Sequence, residues 1–125
     1  MAKIVLWIFG LITLAFGIWS LVSPHAVAAA VKLGLAEPAS VTEFRAFYGG
    51  LEAGIALFWI YAAGQAALQR GALLSMIFVW GGVALTRGAG ILIDGSASGT
   101  MLFALGLEVG AAVASSIALR GLQQA

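Results

Sequence analysis

The chain has no cysteine, and its 125 residues include one histidine, two prolines and only 9% charged side chains. Each shortage excludes something. Without cysteine there is no disulfide, thiolate nucleophile, iron–sulfur cluster or Cys-based zinc site. With His25 alone, a single chain cannot build a bis-His haem or a multi-His metal centre, so neither a metal nor an organic cofactor is expected. Soluble domains carry about 25% charged residues, and so sparse a set could not cover a water-facing surface. Six Lys and Arg against five Asp and Glu give a net charge of +1. With no basic run among them, no nucleic-acid partner is expected.

What is present is apolar: 62% of the residues are hydrophobic, and the mean hydropathy is +1.08. The chain reads as an all-α integral membrane protein, a four-helix bundle in a single domain. Residues 3–22 form an apolar run that matches the ~20 residues needed to cross a hydrocarbon core. A cleaved signal peptide is the competing reading, because Lys3 precedes the run and Ala26-Val27-Ala28 follows it. The run exceeds an h-region of about 7 to 15 residues, which favours a retained span. Residues 24–35, with Pro24 at the first helical position, are too short to span and suit a helix lying in the interface. His25 there is either a proton-handling group or an ordinary polar residue at headgroup level.

Further spans are expected at 41–64, 72–93 and 100–120. Ser40 and Glu43 have the spacing of a capping box for the second, and the polar stretch 65–71 reads as a turn before the third. Lys3, Arg70 and Arg120 flank one side, and Lys32 and Arg45 the other. By the positive-inside rule both termini are cytoplasmic.

The few charges do not all avoid the spans. Glu43, Arg45, Tyr48 and Glu52 fall in the second, Arg87 in the third and Glu108 in the fourth, with Asp94 at the end of the third. A charge near the bilayer centre costs roughly 2.5 to 3.5 kcal/mol on insertion scales, so such groups normally face the bundle interior and one another. Counting inward at about 1.5 Å per residue puts Glu52 and Glu108 roughly 12 to 18 Å deep and Arg87 roughly 10 Å deep. At α-helical spacing Arg45, Tyr48 and Glu52 share a face, as do Arg87 and Asp94, which predicts a polar column leading inward to a Glu/Arg/Glu cluster.

Two carboxylates and one guanidinium do not balance. One glutamate is expected to pair with Arg87 while the other retains a proton part of the time. That asymmetry suits general acid and base roles for Glu52 and Glu108 beside Arg87. Arg45, Tyr48, Asp94 and Glu43 would line the approach as ligand-binding residues. An arginine that only pins two helices together uses the same residues.

The pattern Gly-Leu-Glu-x-Gly occurs at Gly50–Gly54 and again at Gly106–Gly110. It reads either as two copies of a helical hairpin, which would place binding groups at the repeat interface, or as a chance recurrence in a chain with 17 glycines. The paired glycines themselves suit close helix packing. Trp7, Trp19, Trp59 and Trp80 read as interfacial anchors.

On Glu43–Gly54 (EFRAFYGGLEAG), Thr86-Arg87-Gly88 and the Glu-bearing fourth span, the chain resembles an uncharacterised family of small bacterial four-helix membrane proteins, in outline similar to the DoxX-like group. The resemblance implies a multi-pass protein of the bacterial inner membrane and supplies no activity. DoxX-like relatives are linked to quinone-reactive oxidoreductase complexes, which by analogy allows an accessory subunit. The functions weighed are a site that binds and transforms a lipophilic small molecule (a quinone, sterol or terpenoid), a non-catalytic subunit of a homo-oligomer or larger membrane complex, and a small proton-coupled transporter. Membrane lipid is a partner in every case.

Overall fold

The computed structural model describes residues 1–123, and they form a four-span helical bundle. The first span is α1 (Ala2–Val22). Ser23 breaks it, and Pro24, whose missing N–H costs nothing in a first helical turn, starts the short α2 (Pro24–Ala30). The second span is composite: α3 (Pro38–Phe44), a π-helical turn (Arg45–Leu51) and α4 (Glu52–Ala63) run on without a break. The third and fourth spans are α5 (Ala66–Asp94) and α6 (Gly99–Gln123).

Three boundaries differ from the sequence reading. Helix α2 stops at Ala30 instead of continuing to residue 35, because Lys32 adopts a left-handed conformation (φ 61°). The amides of Leu33 and Lys32 fold back on the carbonyls of Ala28 (2.7 Å) and Ala29 (3.1 Å), a Schellman closure. The second span begins at Pro38, with Glu37 as its extended N-cap, so Ser40 lies inside the helix and the Ser40/Glu43 capping box is not made. The stretch 65–71 is not a turn. Ala66 to Arg70 are mostly good helix formers and open α5, and the side chain of Gln69 donates to the Ala63 carbonyl (3.0 Å). Gly64 and Gln65 alone turn the chain.

The spans alternate in direction, with α1 against α4 and the π turn, α5 against α6, and the ring closed by α4 on α5 and α1 on α6. The start of α1 and the end of α6 lie at one end, the terminal end, where a side chain at Gly121 would meet Met1. At this terminal end the interior is dry and full: Leu6, Trp59, Leu73 and Met76 are completely buried among Ala62, Ala63, Ala72 and Ala118. Trp59 is thus a core residue rather than an interfacial anchor. Its indole donates to Ser75 Oγ (2.9 Å), and its ring lies 6.1 Å from that of the half-buried Trp80, whereas Trp7 and Trp19 face outward. At the distal end a second cluster of Val27, Ala28 and Phe44, joined by Phe16, Leu35 and Tyr48, fastens α2 to the first two spans.

The glycines that bring backbones together are not those of the repeated pattern. An added Cβ at Gly17 would fall 2.8 Å from the Ala53 nitrogen, and at Gly10 2.8 Å from Ile60 Cγ1. Gly54, Gly106 and Gly110 face open space, and Gly50 meets only the Arg45 carbonyl, at 3.8 Å. Close approach is needed where α1 crosses the second span, and Gly10 and Gly17 meet that need.

Candidate functional site

Helices α5 and α6 are antiparallel neighbours joined by a four-residue connection that starts at Gly95, a left-handed position (φ 64°). This register sets Arg87 opposite Glu108. One turn toward the terminal end on each helix is a small buried residue, Ala84 on α5 and Ala111 on α6, leaving room for the charged side chains to fold inward. The guanidinium grips the carboxylate with two nitrogens: Nε donates to Oε1 (2.9 Å) and Oε2 (3.0 Å), and Nη2 to Oε1 (2.7 Å). The Glu108 side chain is 5% exposed and that of Arg87 27%. Among the described residues this is the one ion pair. Such a pair fixes helix register, and breaking it leaves a costly lone charge.

Across the bundle the π turn presents Tyr48, and Glu52 follows as the first residue of α4. Tyr48 is stacked on Phe44 (4.4 Å between centroids, 8° between planes) and meets Phe16 edge-on at 6.5 Å. It is near enough to Arg87, and Glu52 near enough to Glu108, for each pair to interact electrostatically through the interior. Glu52 is half-buried, and the hydrogen bonds and ion pair of the described residues leave it out. The structure therefore brings together Arg87 and Glu108 in contact, with Tyr48 and Glu52 close by.

Arg45, Glu43 and Asp94 do not join this group. The shared face of Arg45, Tyr48 and Glu52 assumes 3.6 residues per turn, but residues 45–51 wind more slowly, as a π-helix with i to i+5 hydrogen bonds. Arg45 is rotated away and its Nε donates to the Leu21 carbonyl (3.2 Å) at the distal end. Glu43 and Asp94 are exposed, the latter as the last residue of α5. The expected column thus begins at Tyr48, not at Arg45. A π turn inside an α-helix frequently marks a functional position; here it lies directly before Glu52.

Three buried side-chain polar atoms lack a hydrogen-bond partner among the described residues, Ser20 Oγ on α1 and two on the helices of the ion pair, and sequence reasoning assigned none of them a polar role. The latter two are Trp80 Nε1 and Ser115 Oγ. Trp80 precedes Arg87 by seven residues and Ser115 follows Glu108 by seven, so each lies about 10 Å further toward the terminal end on the same helix face. The seven-residue spacing could have found them, had a tryptophan and a serine stood out in such a chain. No three His, Asp or Glu side chains among the described residues gather as a metal site would require.

An ion pair, a tyrosine and an unpartnered glutamate among four helices long and apolar enough to cross a membrane mark a multi-pass helical membrane protein with a polar group of side chains in its interior. The chain belongs to the family described as a domain of unknown function (DUF4345), which matches residues 1–119. No curated protein and no solved structure matches it.

Proposed function

We propose that the bundle binds a lipophilic small molecule beside Arg87 and Glu108 and transforms it by acid/base chemistry, with Glu52 as the proton carrier. The observation that supports this most is the unequal treatment of the two glutamates. Glu108 is held by two nitrogens of Arg87, while Glu52 has no such partner. A carboxyl group without a fixed partner in a low-dielectric site is available for proton exchange. The arginine-bound carboxylate supplies fixed charge that orients a polar function of the ligand, and Tyr48 offers a hydroxyl on the same side. Isomerisation or cyclisation of a quinone, sterol or terpenoid, or opening of an epoxide by a nucleophile such as water, is proton-transfer chemistry that needs no metal and no nucleophilic Cys or Ser. In this reading the protein sits in a bacterial inner membrane with cytoplasmic termini.

The test compares lipid extracts, by mass spectrometry, from cells carrying the wild-type chain and Glu52→Gln. A substrate species should accumulate with Glu52→Gln while the purified variant unfolds at the wild-type temperature. Identical extracts from two well-folded proteins would remove Glu52 from any chemistry.

A second reading, a non-catalytic subunit of a homo-oligomer or larger complex, is favoured by the open space over Gly54, Gly106 and Gly110. Such faces allow another helix to approach closely. Gly110→Leu should then lower the oligomer fraction on native gels, and an unchanged migration would count against association there.

A further inference from the structure

At the distal end, between the start of α2, the connection that leads into α3, and α3 itself, lies a hollow of about 480 Å³, within the roughly 300 to 1,000 Å³ of small-ligand sites. It touches neither Glu52 nor Glu108. Its walls include His25, Glu37, Thr42 and Arg45, with Leu35 and Val41 supplying apolar surface. Because the first span ends at Val22 and the second begins at Pro38, these groups sit at a membrane boundary, where lipid phosphates lie.

The polar groups are placed but uncommitted. Arg45 spends only its Nε on the Leu21 carbonyl, which aims the guanidinium and leaves its terminal nitrogens free. Neither Arg45 nor Glu37 belongs to an ion pair among the described residues. His25 is carried by α2, which Val27 and Ala28 anchor against Phe44, so the wall it forms is fixed. Guanidinium and imidazole suit a phosphodiester. A carboxylate on the same hollow suits a primary ammonium, which can donate hydrogen bonds to it, and Leu35 and Val41 suit the first carbons of acyl chains.

We propose that this hollow is a binding site for an aminoalkyl phosphodiester headgroup, that of a phosphatidylethanolamine-type lipid, with Arg45 and His25 on the phosphate and Glu37 on the ammonium. The site stands apart from the mid-membrane group of side chains and does not depend on its chemistry.

The experiment uses the full chain in nanodiscs containing phosphatidylethanolamine, phosphatidylcholine and phosphatidylglycerol with identical acyl chains, and measures by native mass spectrometry which lipid stays bound on release. The wild type should retain phosphatidylethanolamine about tenfold over phosphatidylcholine, the difference made by one charge-assisted hydrogen bond. Glu37→Gln should reduce it to the phosphatidylcholine level, and Arg45→Gln should weaken retention of all three. Arg45 also holds Leu21, so His25→Gln, at an exposed residue without a hydrogen bond, provides the second phosphate-side variant and should weaken retention in the same way. Equal retention of the three lipids by the wild type, or an unchanged preference in Glu37→Gln, would overturn the proposal. Displacement by soluble glycerophosphoethanolamine at an affinity matching the lipid's would overturn the lipid assignment in favour of a free phosphodiester.

Discussion

The bundle has two long helix seams that close by opposite means. Where α1 crosses the second span, side chains are missing: Gly10 and Gly17 let backbones approach until a single added carbon would collide. Where α5 meets α6, charge is present, and Arg87 bridges to Glu108 across the gap. In lipid no hydrophobic force separates a helix neighbour from an acyl chain, so association must come from close van der Waals contact or from polar bonds. This protein assigns one device to each seam. The glycine seam keeps the second span near α1 along its length, and the charged seam leaves polar groups in the interior.

Breaking the charged seam should cost the most. Glu108→Gln strands Arg87, with an expected loss of about 3 kcal/mol, read from unfolding in detergent micelles. The double variant Arg87→Met with Glu108→Leu should recover most of it, since no lone charge remains. If the single and double variants were equally unstable, the loss would lie in packing and not in an isolated charge.

The glycine seam should answer next. Gly17→Ala places a methyl 2.8 Å from the Ala53 nitrogen and 3.1 Å from the Gly49 carbonyl. These are backbone atoms that cannot rotate aside, so a loss of about 2 kcal/mol is expected. Gly10→Ala meets a side-chain atom, Ile60 Cγ1, at 2.8 Å and backbone atoms only at 3.5 Å, so it should cost less, and the ratio of the two melting shifts checks that ranking. Trp59→Phe tests the bond that ties α4 to α5 away from both seams. It deletes the donor to Ser75 within a full core, and about 1 kcal/mol should be lost.

The smallest effect should have the opposite sign. Gly54→Ala and Gly110→Ala add a methyl in open space within regular helix, and a gain of about 0.5 to 1 kcal/mol follows from backbone entropy alone. A loss at either position in the purified protein would reveal a second copy packed on that face. The same residue type would then stabilise in one place and destabilise in another for reasons of contact only.

The number of spans could be read directly from the chain. Long apolar runs admit one structure in lipid, because backbone groups there must bond within their own helix. The cost of burying charge obliged Arg87 to find a carboxylate, although its choice of Glu108 over Glu52 depended on register between helices. The position of Arg45 was not legible. Its assignment to the polar column assumed uniform winding, and the π turn that rotates it away forms where Tyr48 is held between Phe44 and Phe16 and Gly49 presses on Leu21. Phe44 is a local neighbour four residues back, but Phe16 and Leu21 lie on the first span, beyond the reach of local propensity.

The division follows from the range of the forces involved. Hydropathy and helix-forming tendency act residue by residue, and they alone determined an all-helical protein of four spans with ionisable groups trapped between them. Which glycines touch, which glutamate receives the arginine and where the second span changes its winding depend on atoms that only the assembled bundle brings within a few ångströms. Those contacts were decided by the tertiary structure.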